Sequence, residues 1–524
     1  MSAHHRFWIG RRLAPVAVLS AGILAVSTAA WAGVTAGTLV QASDHPFPGT
    51  SAACDNVIQQ QTAAGSRNFP GAEVEPYVAA DPAAPQHLVA VFQQDRWNDG
   101  GDNGNTTDVS TNGGKTWTLA SSQPAFTICE GATPGSASFF NRASDPWVSY
   151  SPDGKTVYQA SLAFNANGPA FGGASSIQVS TSTNGGTTWN TPVAVQSDQS
   201  TTVLNDKESV TADPVRPSDA YVVWDRLVSP STHANPSAFN VTPAFRGPAW
   251  FSMTADRGKT WSPSRVIYDP GQNNQTIDNQ IVVEPAGGAK GTLVDGFVQL
   301  LNKGGKGNPS TVFNVAVIRS TDGGATWSAP VIVSPLTVAG VSIAGHGVRT
   351  GDIIPAFTAD PANGKLYAVW QDGSFGSGGQ PKIAFSMSSD GGLHWSTPIR
   401  VDQSPGEVPA FTPQVHVSSD GTIGVSYYDL QNATAAQPGL TDAFLVTCPA
   451  ASSDCSKAAS WAAGGQARLS PRSFDMTTAP NAGGYFVGDY EGLTSAGTTF
   501  DPFFMMAQPV ATKGLTDPFA NTAG

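Results

Sequence analysis

The chain has 524 residues, of which only 13% are charged, with 56 Gly and 39 Pro. So few charges among so many turn formers favour strands over helices, and the length is great for one core but ordinary for a stack of repeated units. A formal net charge of −12 excludes the basic surface that nucleic-acid binding requires.

The amino terminus reads as an export signal. Arg6, Arg11 and Arg12 precede the apolar run from Leu13 to Ala29, and Ala30-Trp31-Ala32 offers a small-x-small cleavage site. Residues 1–32 are therefore expected to be removed and the chain to be secreted. A twin-arginine route through Arg11-Arg12 and a retained anchor are the alternatives. No other apolar run approaches the ~20 residues that span a bilayer. The four cysteines suit an exported chain with disulfides. Cys448 and Cys455 flank a short polar loop and make one pair; Cys54 with Cys129 follows by elimination. Residues 33–72 read as an amino-terminal arm, within which Val34 to Ala42 has the composition of a returning strand.

From residue 73 two repeats alternate. The first is an octapeptide with five copies, STNGGKTW, STNGGTTW, TADRGKTW, STDGGATW and SSDGGLHW, ending at Trp117, Trp189, Trp261, Trp327 and Trp395. The third position is Asn112, Asn184, Asp256, Asp322 or Asp390, whose side chain can fold onto nearby amides. Gly supplies a positive φ, and Trp covers the bend. The second repeat is a hairpin pattern, an alternating strand, a DP, PDG or SDG turn and an apolar strand. It recurs at Glu75 to Asp95, Asp145 to Ala163, Glu208 to Asp225, Gln280 to Leu300, Pro355 to Asp372, Pro413 to Asp429 and, more loosely, Phe486 to Met505. Two hairpins per unit of about 70 residues make one four-stranded blade of an all-β propeller spanning residues 73–509. In the sixth unit Asp442 to Cys448 and Ala458 to Leu469 are expected to supply the second hairpin. The count is six or seven blades, depending on whether Phe486 to Met505 stands alone with Val34 to Ala42 beside it. Residues 510–524 read as a loose tail.

The five octapeptides resemble the Asp boxes, or BNR repeats, of the sialidase (neuraminidase) superfamily. The resemblance implies a sialidase-like propeller in which the boxes are structural and a glycan is the partner. Members use three arginines on the substrate carboxylate, an Asp as acid/base and a Tyr nucleophile activated by a Glu. Here the first-blade stretch is Val74-Glu75-Pro76-Tyr77 instead of the family's F/Y-R-I-P segment. The implied function is exo-α-sialidase-like hydrolysis of extracellular glycans; the alternative is a non-catalytic propeller that binds glycan or protein.

Blade geometry puts the octapeptides and the DP/PDG turns on one face. On the other fall Asp95, Arg96, Arg142, Asp145, Asp206, Lys207, Glu208, Asp225, Arg226, Asp278, Arg349, Asp352, Asp372, Glu407, Tyr427, Tyr428, Asp429, Asp489, Tyr490 and Glu491. In a chain so poor in charge, this reads as a polar mouth. By position, Asp145 is the candidate acid, Tyr490 with Glu491 or Glu208 as its base, or else Tyr428, the candidate nucleophile, and Arg96, Arg142, Arg226 and Arg349 the candidate substrate carboxylate ligands. Inter-blade Asp–Arg pairing is the structural alternative for each. No cofactor is expected. The segment Asn98 to Asn105 (NDGGDNGN) has oxygen ligands and glycines that would suit calcium, although a solvated loop explains it as well. A monomer is expected.

Overall fold

The computed structural model describes residues 33–43, 54, 65–166, 173–229, 246–304, 311–509 and 515–524; the expected export signal lies outside them. The described residues form an all-β molecule with seven four-stranded antiparallel sheets in chain order, the sixth carrying a fifth short strand. Their first strands are Glu73–Asp81, Arg142–Tyr150, Val203–Ala212, Gln275–Val283, Ala356–Ala359, Ala410–Val417 and Gly492–Ala496. Each lies against the first strand of the next sheet, and that of the seventh lies against that of the first.

The octapeptides are tight turns after the third strands of the first five sheets. In each, the hydroxyl of the first residue accepts the amide of the fifth, as at Gly114 to Ser110 (3.0 Å) and Gly324 to Ser320 (2.8 Å). The Asn or Asp side chain accepts the amide of the seventh residue, at 2.9–3.0 Å in all five. These bonds give the turn a local hydrogen-bond scaffold that needs no helix or ladder. The five tryptophans are partly buried against neighbouring hydrophobic clusters, Trp117 5.0 Å from Phe503. Gly324 shows why glycine is needed. Its φ is +87°, and a Cβ there would stand 2.7 Å from the Phe251 ring of the preceding sheet.

Three expectations change in the seventh and sixth sheets. The hairpin Gly492–Ala496 and Thr499–Ala507 gains a third strand, Thr516–Ala520, within the segment read as a loose tail. That strand is wholly buried because Phe519 and Ala520 pack with Phe503 and Met505. The returning strand is shorter than expected, Val40–Gln41, and pairs with Thr516–Ala520 instead of the hairpin, Val40 opposite Ala520. In the sixth sheet, part of the expected strand is the helix Ala458–Gly464, followed by the short strand Gln466–Arg468. Buried Trp461 accounts for the helix, with its ring 4.9 Å from Phe385 of the fifth sheet.

Both cysteine pairs form, Cys54–Cys129 and Cys448–Cys455, with sequence separations of 75 and 7. Loop-closure entropy grows with separation, so Cys129→Ser is expected to cost about 4–5 kcal/mol and Cys455→Ser about 2–3 kcal/mol. Thermal unfolding of the two variants checks the order.

Candidate functional site

A backbone feature recurs in five of the first strands. Ladder register shifts between Val74 and Tyr77, Ser144 and Trp147, Asp206 and Ser209, Ile277 and Gln280, and Phe411 and Gln414. Inside each shift sits one residue at positive φ: Glu75 (53°), Asp145 (52°), Lys207 (50°), Asp278 (60°) and Thr412 (51°). These are β-bulges, which re-aim a side chain out of the pleat. A non-glycine residue held there costs of order 1–3 kcal/mol, so the surroundings must fix it.

The surroundings are an ion cluster. Lys207 Nζ donates to Asp145 at 2.8 Å, Asp489 at 3.0 Å and Glu75 at 3.3 Å. These partners come from the first, second and seventh segments of the circuit. Arg349 grips Asp489 from the other side through Nε at 2.9 Å and through NH2. A small sheet makes that grip, with His346–Arg349 running parallel to Tyr485–Phe486 and Arg349 opposite Phe486. Gly351 allows the close approach, since a Cβ there would stand 2.2 Å from the Asp489 carbonyl. Arg96 donates to Gln93 at 2.7 Å, and Gln93 donates in turn to Glu75. Beneath the charges Tyr77 stacks on Trp147 at 3.7 Å, and Tyr490 lies 5.4 Å from Trp147.

Burial splits the proton affinities of these carboxyls. Burial works against the Lys207 ammonium, yet Asp145, Asp489 and Glu75 hold it well above its ordinary range. Burial would also raise Asp145, but Lys207 pulls it below the usual carboxylate range. Asp489 is likewise held down against burial, by Arg349 and Lys207. Glu75 goes the other way: burial, opposed by Lys207, pushes it to about 8. Protonated Glu75 hydrogen-bonds Asp145. Asp206 and Asp278 are each pushed by burial to about 7, and Glu208 well above its usual range. Neither Glu208 oxygen makes a hydrogen bond of good geometry, although the amides of Glu208 and Leu162 lie close enough to ease a negative charge. Groups of one kind driven apart like this are what acid–base chemistry uses.

The expected site residues are only partly brought together. Asp145, Arg349, Tyr490 and Arg96 meet in or beside the cluster. Lys207 holds Asp145 ionised at neutral pH, so Asp145 is not a proton donor there. Tyr490 and Glu491 do not pair. Tyr490 donates to the Pro146 carbonyl at 3.1 Å, whereas buried Glu491 hydrogen-bonds Tyr428 and accepts the Met505 amide at 3.3 Å. Burial, with Glu75, Asp145, Glu208 and Asp278 around it, pushes the Tyr490 phenol well up, the reverse of nucleophile activation. Arg142 binds Asp99 at 2.7 Å and the Gly100 carbonyl, and Arg226 grips Asp198. Within Asn98 to Asn105, Asn98 accepts the Arg67 amide, Asp99 pairs with Arg142 and Asn103 accepts from Trp97, while neither oxygen of buried Asp102 makes a hydrogen bond of good geometry. Among the described residues no group of three or more His, Cys, Asp or Glu is placed to hold a metal. Glu75 carries a role that the sequence reading did not give it. The available signal was its place at the head of the hairpin repeat, equivalent to Asp145.

No protein-family model matches this chain, and no curated protein is similar to it in sequence. Among solved structures it is similar to the Hadza microbial sialidase Hz136, at 18% identity over 68% of this chain and a TM-score of 0.44. The chain spans 64% of the length of that sialidase. It is also similar to an α-L-arabinanase of Penicillium chrysogenum complexed with arabinobiose, at 15% identity over 75% of this chain and 94% of that one, TM-score 0.43. The NanB sialidase of Streptococcus pneumoniae gives 8% identity over 92% and 98%, TM-score 0.42. At this level of likeness neither substrate nor catalytic residues carry over. No described helix is long and apolar enough to cross a membrane.

Proposed function

We propose that the chain is a seven-bladed β-propeller glycoside hydrolase acting on extracellular glycans, with its site at the carboxylate cluster around Lys207. The circuit of first strands supports seven blades, and the two disulfides fit an extracellular setting. The observation that carries the catalytic reading is the run of bulges in the first four first strands, which holds Glu75, Asp145, Lys207 and Asp278 at positive φ, with Lys207 pulling Asp145 below the usual carboxylate range and burial pushing Asp278 to about 7. Glycosidic cleavage needs one carboxylate and one carboxylic acid on either side of the bond. Glu75 and Asp145 cannot form that pair, because they hydrogen-bond each other and leave no room for a sugar. Asp145 is therefore read as the ionised partner and Asp278 as the proton donor. The sialidase type of chemistry is less well supported, because the Tyr490 hydroxyl donates to the Pro146 carbonyl instead of to a carboxylate, and Arg142, Arg226 and Arg349 are engaged by Asp99, Asp198 and Asp489.

The purified mature chain is expected to hydrolyse at least one of a panel of fluorogenic glycosides between pH 4 and 8. Asp145→Asn and Asp278→Asn are expected to lower kcat by about 10²–10⁴-fold while retaining the wild-type circular dichroism. No turnover of any glycoside would retire the hydrolase and leave a glycan-binding propeller.

A further inference from the structure

A cleft of about 240 Å³ opens on the third sheet, lined in part by Arg226, Val228, Arg246, Pro248, Trp250 and Val266. Lys207 stands on the first strand of that sheet, whereas Arg226, Trp250 and Val266 stand on its second, third and fourth. Arg226 lies opposite Asn205, the pair next to Asp225 and Asp206 at the Lys207 bulge. The cleft is therefore at the same end of the sheet as the carboxylate cluster and outward from it.

Its lining runs against the composition of the chain. The protein has 39 acidic and 27 basic side chains, yet the described residues around the cleft include two arginines and no Asp or Glu. Both guanidiniums are fixed in place. Arg226 donates through Nε (3.3 Å) and NH2 to Asp198 and lies over the Trp250 ring at 4.7 Å. Arg246 donates through Nε (3.1 Å) and NH2 to Asp269. A guanidinium carries five N–H groups and so has a second forked edge, NH1 with the other hydrogen of NH2. Among the described residues neither NH1 makes a hydrogen bond or an ion pair, so both second edges are open. Because Asp198 and Asp269 already order these side chains, little freedom is lost when a ligand meets them.

Trp250 adds a further donor, an indole N–H without an acceptor among the described residues. The rest of the wall is apolar: Val228, Pro248 and Val266, the last 44% exposed. A ligand that suits this cleft brings acceptor oxygens to the arginines and an apolar face to the aliphatic wall. A sugar ring bearing a carboxylate has both, since the two oxygens match a forked edge and the ring C–H groups cover the valines. The volume is below the ~300–1,000 Å³ of pockets for drug-sized ligands and suits about one ring.

We propose that this cleft binds a hexuronate unit of an acidic polysaccharide, with Arg226 and Arg246 on its carboxylate, as an anchoring site separate from the cluster around Lys207. This rests on the chain being a glycan-handling protein, but not on hydrolysis at the cluster.

The test is calorimetric titration of the mature chain with trigalacturonate, its methyl ester and sodium sulfate. Trigalacturonate is expected to bind about tenfold or more tightly than the ester, which keeps the rings and loses the charge, and sulfate is expected to bind more weakly than trigalacturonate. Arg246→Met is expected to weaken trigalacturonate binding by about tenfold. Arg246 and Asp269 are 46% and 30% exposed, so Asp269 stays solvated in that variant, and its melting temperature and turnover of small glycosides are expected to match wild type. Equal affinity for acid and ester, sulfate binding as tight as that of trigalacturonate, no binding of trigalacturonate, or wild-type affinity in Arg246→Met would each overturn the proposal. Turnover on the same samples separates the two readings. Acid-selective binding without cleavage of any glycoside sinks the hydrolase alone, and cleavage without acid-selective binding sinks the anchoring site alone.

Discussion

Replacing Lys207 with methionine is expected to destabilise the molecule by about 3–5 kcal/mol, because it leaves buried carboxylates without their counter-charge. The side chain is 7% exposed and touches Glu75, Asp145 and Asp489, which are 1%, 4% and 6% exposed. Removing the ammonium sets three carboxyls facing one another in a site with little water. They can relieve this only by taking up protons, so the cost should be largest at pH 8 and smaller at pH 5. Lys207→Met should therefore melt well below wild type at pH 8 and approach it at pH 5. A melting temperature equal to wild type at pH 8 would show that the cluster does not hold these segments together. Glycoside turnover should fall in parallel, because Asp145 depends on Lys207 to stay ionised.

Stability of the wild-type chain is expected to peak in mild acid and to fall steadily as pH rises through neutrality. Burial pushes Asp108, Asp206, Asp278 and Asp501 to about 7, and Glu75 and Glu130 to about 8. Each of these binds its proton more tightly folded than unfolded. Their contribution is complete below the unfolded range near pH 4, and it is lost as pH rises through the folded values at 7–8. For one carboxyl moved from the ordinary Asp range to about 7, linkage amounts to something on the order of 4 kcal/mol. Asp145 and Asp489 act in the opposite sense. They are held below their usual range, so what they contribute is present above pH 4 and lost in stronger acid. The two groups together place the maximum at about pH 4–5. Melting curves at whole pH steps from 3 to 9 test this, and a melting temperature still rising between pH 6 and 8 would contradict it.

The turn chemistry was legible in the sequence because it is local. An octapeptide such as STDGGATW supplies its own hydrogen bonds, so Asp322 and Gly324 fold alike wherever the chain carries them. The hairpins were legible for the same reason. The strand Thr516–Ala520 was not, because TDPFA has too few residues to show a period and is a strand through what Phe519 packs on. Trp461 made helix of a segment whose composition read as strand. Within the site, the crowd of charges on one face was visible, but its pairing was not. A bulge is a backbone event, and nothing in the letters of Glu75-Pro76 or Lys207-Glu208 states that φ turns positive there. The neighbours Tyr490 and Glu491 were expected together, yet they lie in the irregular stretch ahead of the strand Gly492–Ala496, where Tyr490 turns to the Pro146 carbonyl and Glu491 to Tyr428.

The pairing of Val40 with Ala520 has a kinetic meaning. The contact that completes the final sheet joins residues almost a full chain apart, so it cannot form while the polypeptide is still being made. Its loop-closure entropy is correspondingly large. The early-synthesised segment therefore waits unpaired until its late-arriving neighbour has been made.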